Sequence, residues 1–201
     1  LAQYMHAPNI NIIYEIGVFN PEAVKMVVRI VDLRLWYKSE HFTSFAGTLG
    51  GLLQRGLVDV GFLGGLQVDK FGNLNSTLIN QKDGIRHFTG SGGAADIASY
   101  SKNILAITKH QKRKIVDTVD YLTSVGYLKG DDSRTEEGLP ACESITIITN
   151  KCVFTFDEDL KSLKLASIHP GIDIEELRES TGCEFIIPDQ VKLTDEPTDK
   201  E

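Results

Sequence analysis

Glu15 closes an apolar, β-branched run that follows Pro8 (Asn9-Ile10-Asn11-Ile12-Ile13-Tyr14), and Gly17 stands two residues beyond it. A carboxylate leaving such a run onto a glycine-flanked turn is partly desolvated and still reachable, the conditions for a carboxylate nucleophile or a general base with a raised pKa. The same placement fits an edge glutamate pointing into water, and one residue does not choose between the two. A second candidate is Gly90-Ser91-Gly92-Gly93, followed by Ala94-Ala95-Asp96 at the opening of a helix. Successive glycines let backbone N–H groups approach a ligand with no Cβ in the way, which suits a phosphate or a developing oxyanion. The segment lacks the Lys-Ser/Thr of a P-loop and the spacing of the dinucleotide-binding pattern, and a tight structural turn reads equally well. Gln67 and Asn75 belong to a third, polar segment that runs from Gly64-Gly65 through Asp69 and Gly72-Asn73 to Thr77. Polar residues this dense between apolar strands either satisfy turn backbones or line a cleft. His110-Gln111-Lys112-Arg113-Lys114 is a basic run that suits the phosphates of a nucleotide-like ligand but reads more readily as a solvated face. His6, His41, His87 and His169 show no metal-ligand spacing, so no metal site is expected.

The elements that must hold these groups alternate. Strands are predicted over residues 9–15, 57–63, 103–108, 144–149, 152–157, 164–168 and 185–188, and helices over 45–55, from the 90–96 loop to about 100, and over 174–180. Asp173 is the expected N-cap of the last helix and Gly182 its C′ glycine. The pattern predicts an α/β fold: one open, largely parallel sheet flanked by helices. In such a sheet ligands bind outside the carboxyl ends of the strands, where Glu15 is expected. A chain of 201 residues fits one domain, taken as residues 1–193, with an acidic tail over 194–201. It opens Leu1-Ala2-Gln3-Tyr4-Met5, without an initiator Met or a cleavable leader, and enters a strand at once, so residues upstream are expected.

Charge and cysteine usage exclude several classes. A net charge of −7 argues against a polyanion-coating surface, and no nucleic-acid partner is expected. No apolar run approaches the roughly 18 residues of a membrane span. Cys142, Cys152 and Cys183 are odd in number, widely spaced and without a CxxC pair, which fits core residues in a reducing, cytoplasmic compartment.

Four ordered segments carry a resemblance that covers the chain from about Ala7 to Leu193. Ala7-Pro8-Asn9 leads to Tyr14-Glu15-Ile16-Gly17. Gly64-Gly65-Leu66-Gln67-Val68-Asp69-Lys70-Phe71-Gly72-Asn73-Leu74-Asn75 and Phe88-Thr89-Gly90-Ser91-Gly92-Gly93-Ala94 follow. Glu179-Ser180-Thr181-Gly182-Cys183-Glu184-Phe185 ends the series. In this order they resemble β subunits of the family I CoA-transferases. The resemblance implies CoA exchange between an acyl-CoA and a carboxylic acid by a ping-pong route through a glutamyl-CoA thioester. It places the nucleophile at Glu15, an oxyanion- or CoA-binding loop at Gly90, Ser91, Gly92 and Gly93, and Gln67 and Asn75 near the cleft. It implies an α subunit as obligate partner, a CoA thioester as substrate and no permanently bound cofactor. Ile16 departs from the small residue often found beside the nucleophile, which reshapes the adjoining pocket.

Two other readings compete. Relatives of the same fold hydrolyse CoA thioesters or open rings, and hydrolysis needs only that water reach an acyl-enzyme. Others are non-catalytic ligand-binding subunits, for which Glu15 would be an incidental surface acid. The intact Glu15-Ile16-Gly17 favours transfer.

Overall fold

The structure, a computed structural model, describes residues 2–22 and 29–198. Residues 1–55 with 197–201 form one unit of the chain and residues 56–196 form another. The first unit runs α1 (Ala2–Met5), β1 (Ile13–Tyr14), β2 (Val18–Phe19), β3 (His41–Phe42) and α2 (Phe45–Thr48), which widens into π-helical turns over Leu49–Leu53. Its three strands are antiparallel, with Tyr14 opposite Val18 and Val18 opposite Phe42. Ser44 caps α2 by accepting from the Gly47 amide at 3.0 Å, so the helix expected over 45–55 begins on a hydroxyl, as cap chemistry requires. Among the described residues, Val18, Leu35, Leu49 and Leu53 are its buried apolar ones.

The second unit contains β4 (Val60–Gly64), β5 (Gln67–Asp69), β6 (Leu74–Asn75), β7 (Leu78–Gln81), β8 (Gly84–His87), α3 (Ala94–Tyr100) and β9 (Asn103–Ile107). It continues with β10 (Ile115–Val116), α4 (Ser133–Glu136), β11 (Ser144–Ile148), β12 (Cys152–Phe156), β13 (Leu163–Ile168), α5 (Ile174–Ser180) and β14 (Lys192–Leu193). Six of these strands make one sheet in the order β14-β13-β12-β11-β9-β4. Period-two patterning sends Ile104 and Ala106, Ile145 and Ile147, Cys152 and Phe154, and Leu163 and Leu165 to one buried face. Val68 and Ile115 from a small second sheet (β10-β5-β6), Ala98 of α3 and Leu177 of α5 close over that face.

The α/β class is as the sequence predicts, and the sheet is mixed. Its β4, β9 and β11 run parallel, whereas β12 is antiparallel to both β11 and β13. Asn150-Lys151 allows only a tight hairpin between β11 and β12, and a short link cannot return a parallel strand. Residues 185–188 form no strand: Ile186 makes a single bridge to Lys164, and the parallel neighbour of β13 is β14. Asp173 caps α5 as expected, accepting from Glu175 and Glu176. Gly182 follows α5, but not as a left-handed cap. It is there because the carbonyls of Lys112 and Ile115 occupy the space of a Cβ.

Helix α3 presses on β4 at Gly61, where a Cβ would collide with Ile97 and Ser101. Ser101 Oγ is buried at this contact with no hydrogen-bond partner among the described residues. An unpaired buried hydroxyl costs about 1–3 kcal/mol. Ser101→Ala is therefore expected to stabilise the protein by about 1 kcal/mol, read as a higher urea midpoint; a lower midpoint would show that the hydroxyl is bonded.

Candidate functional site

Glu15 is half-buried and lies in a hairpin turn, not at the end of a seven-residue strand. Asn11 and Ile12 are outside the ladder, β1 keeps only Ile13 and Tyr14, and the chain reverses over Glu15, Ile16 and Gly17 to pair with β2. The Gly17 amide donates to Tyr14 O at 2.9 Å, and Gly17 has φ +98°, the left-handed residue that a three-residue hairpin loop needs. The Thr43 amide donates to Gly17 O at 2.8 Å, and Thr43 O fills the space of any Cβ on Gly17. The Glu-x-Gly spacing thus has a local cause: glycine both turns the chain beside the carboxylate and lets the Thr43 backbone lock it.

Gly90, Ser91, Gly92 and Gly93 form the loop that enters α3. Gly90 and Gly92 have positive φ, and the Ala94 amide donates to Ser91 O at 2.8 Å. Ser76 clamps its first residue: Ser76 Oγ donates to Gly90 O at 2.9 Å and the Gly90 amide to Ser76 O at 3.2 Å. Ser91 and Gly92 are exposed, and among the described residues no backbone carbonyl accepts from their amides. The loop is thus open to solvent on the side of Ser91 and Gly92.

Gln67 and Asn75 come together across the β5–β6 pair, and both are buried. Asn75 Nδ2 donates to Gln67 Oε1 at 2.8 Å and to Leu78 O at 2.6 Å. Asn75 Oδ1 accepts from Thr77 N, and Gln67 Oε1 also accepts from Asp120 N at 3.0 Å. These amides hold turn backbones in place. A groove of about 700 Å³ beside them is lined by Asp120 and by Asp69, Tyr121, Leu122 and Leu139, and not by Gln67 or Asn75. At its floor Asp69 accepts from the Phe71 and Asn73 amides and from Asn73 Nδ2, and burial raises its pKa against those bonds.

His110 departs from the solvated face expected of its basic run, of which Lys112 and Arg113 are exposed. It is 4% exposed, with Nε2 2.9 Å from Thr181 Oγ1, Nδ1 3.2 Å from Thr149 Oγ1 and the ring against Phe154. Both hydroxyls come from distant segments, which no local pattern reveals. Cys152 Sγ lies 3.7 Å from Nδ1, but this is no thiolate–imidazolium pair. Burial pushes the thiol up to about 11 and the imidazole down to about 4, so both stay neutral and unreactive. Burial raises the Cys142 and Cys183 thiols as well, in keeping with core roles. Among the described residues no three His, Cys, Asp or Glu side chains gather around a metal position, and no helix is long and apolar enough to cross a membrane.

The depressed imidazole gives a signed expectation. The unfolded chain binds the proton near pH 6.5 and the folded chain near 4, so stability falls as pH drops between these values. The loss amounts to about 3 kcal/mol. Lys151 opposes the charged form and Glu176 favours it more weakly. Comparing Tm with His110→Gln from pH 7.5 to 4 isolates this slope; parallel curves would refute it.

Known proteins resemble this chain over nearly its whole length. The profile of a family described as Coenzyme A transferase matches residues 1–180. The β subunit of 3-oxoadipate CoA-transferase from Pseudomonas knackmussii is 36% identical over 203 residues, spanning 100% of this chain and 78% of that protein. The β subunit of glutaconate CoA-transferase from Acidaminococcus fermentans is 32% identical over 201 residues, spanning 96% of this chain and 74% of that protein. The crystal structure of glutaconate coenzyme A-transferase from the same organism matches with a TM-score of 0.90 at 30% identity, covering 99% of this chain and 78% of that one. The chain that carries Glu15 in a glycine-locked turn and a glycine-rich loop at the head of α3 belongs to the coenzyme A transferase family.

Proposed function

We propose that this chain is the β subunit of a CoA-transferase that moves CoA from an acyl-CoA to a carboxylic acid, with Glu15 as nucleophile. The observation that carries the reading is the turn at Glu15, where Gly17 and Thr43 fix the backbone next to a half-buried, reachable carboxylate. The carboxylate attacks the thioester carbonyl, the C–S bond breaks, and CoA leaves as a thiolate with a mixed anhydride left behind. The thiolate then attacks the glutamyl carbonyl and the first acid departs as its carboxylate. The resulting glutamyl-CoA thioester passes CoA to the second acid by the reverse steps. Glutamate suits this exchange because it is a competent nucleophile and, once acylated, a good leaving group. The amides of residues 90–93 serve as donors to the oxyanion or to CoA, and Gln67 and Asn75 brace the adjoining turns.

Both of these relatives are named as one subunit of a larger enzyme, which supports an α subunit as partner. Their names also carry dicarboxylates, 3-oxoadipate and glutaconate, which are therefore the first acceptors to test. The deciding experiment incubates the chain, co-purified with its α subunit, with an acyl-CoA and no acceptor, followed by digestion and peptide mass analysis. A CoA adduct on the Glu15 peptide, or its borohydride-reduced form, is the expected result. Acyl-CoA consumed with Glu15 unmodified would replace transfer by hydrolysis, and neither event would leave a binding subunit.

A further inference from the structure

Arg134 is an arginine buried where no carboxylate answers it. It is 2% exposed, sits in α4, and pairs with no acid among the described residues. Its guanidinium spends its donors on five main-chain carbonyls instead. Nε donates to Pro140 O at 2.7 Å, Nη1 to Val125 O at 3.3 Å and Gly126 O at 2.9 Å, and Nη2 to Ala98 O at 2.9 Å and Ser99 O at 2.8 Å. Burial opposes the charge and lowers its pKa. A neutral side chain of similar length would fill the space without that cost, so the placement is explained by what the fork holds.

Ala98 and Ser99 belong to the last turn of α3, whose carbonyls have no helical partner and carry the negative end of the helix dipole. Only seven residues, about 10 Å of helix, separate that end from the loop at residues 90–93. The other end of the same piece is held by the Ser76 clamp on Gly90, and the Ser76 amide is itself held by Thr123 Oγ1 at 3.0 Å. Gly61 lets the middle of the helix seat directly on β4. Ser76 thus holds the loop in front of α3, and Arg134 holds the helix behind it.

We infer that Arg134 is a positioning residue for the transfer reaction, setting the donor loop at residues 90–93 through the C-terminal carbonyls of α3. The inference rests on the reading of that loop as the oxyanion or CoA donor. The fork matters as much as the charge, because a single ammonium cannot span carbonyls from three chain segments.

The test uses the chain with its α subunit and compares Arg134→Lys and Arg134→Gln with the parent. Thermal melting, steady-state exchange and amide hydrogen exchange are measured on each. A loop displaced by about 1 Å costs on the order of 100-fold in turnover. Arg134→Lys is expected to lower kcat at least 10-fold while KM for the acyl-CoA changes less than threefold. Amide exchange should quicken at residues 90–100 but not in β11. A folded Arg134→Lys with parental kcat and unchanged exchange at residues 90–100 overturns the inference, as does failure of both variants to fold. Gly92→Val separates it from the underlying reading. Normal turnover in that variant removes the loop from the reaction, and with it any effect of Arg134 on kcat, whereas faster amide exchange in Arg134→Lys still reports the mechanical coupling to α3.

Discussion

Glu15→Gln is expected to abolish CoA exchange, by on the order of 1,000-fold or more, while leaving the fold intact. Glutamine has the size and shape of glutamate, and the turn around position 15 is set by backbone bonds to Tyr14 and Thr43 and by Gly17, none of which needs the carboxylate. What disappears is the nucleophile, whose removal from a covalent mechanism costs far more than any positioning group. The measurement pairs label exchange between free and CoA-bound acid with the mass of the Glu15 peptide. Exchange and adduct must vanish together, with Tm unchanged to within a degree or two. Exchange at near-parental rate in Glu15→Gln would place the nucleophile elsewhere.

Gly17→Ala carries the second large effect, through geometry rather than chemistry. Alanine at φ +98° is strained, and its methyl group would meet the Thr43 carbonyl, which is backbone and cannot swing aside. The hairpin must open or Thr43 must move, at a cost of about 2–4 kcal/mol. Because Glu15 rides on that turn, adduct formation should fall about 100-fold even though no reacting atom was changed. Denaturant melts and the rate of adduct formation read both effects, and a variant with parental values of each would show that the Thr43 contact does not set the turn.

The local parts of this fold were legible because local chemistry decides them. Asp173 caps its helix, the apolar runs of β9, β11 and β12 alternate, and the glycines before Ala94 open α3. What escaped the sequence depends on partners far along the chain. His110 looks like one of several cations until Thr149 and Thr181 are brought to its two nitrogens. Gly182 reads as a helix terminator until two carbonyls from residues 112 and 115 are found against it. The β7–β8 hairpin was announced by Asp83-Gly84, a usable turn signal obscured by the exposed, mixed character of its strands. At the candidate site, residue types and order marked Glu15 and the glycine loop. Ser76 and Arg134 stayed hidden, since a hydroxyl and a guanidinium bonded to main-chain carbonyls leave no pattern in the sequence.

The position of β4 has a practical consequence. Among the described residues it pairs only with β9, and its outward side chains Val60 and Phe62 are 39% and 60% exposed. Its sequence, Val-Gly-Phe-Leu-Gly, contains no charge and no proline. Natural sheets guard such borders with lysine, proline or a bulge, because an unguarded one templates edge-to-edge aggregation. Purified by itself, this polypeptide is expected to precipitate as its concentration rises, and inactivity in such a sample would report colloidal loss rather than catalytic incompetence.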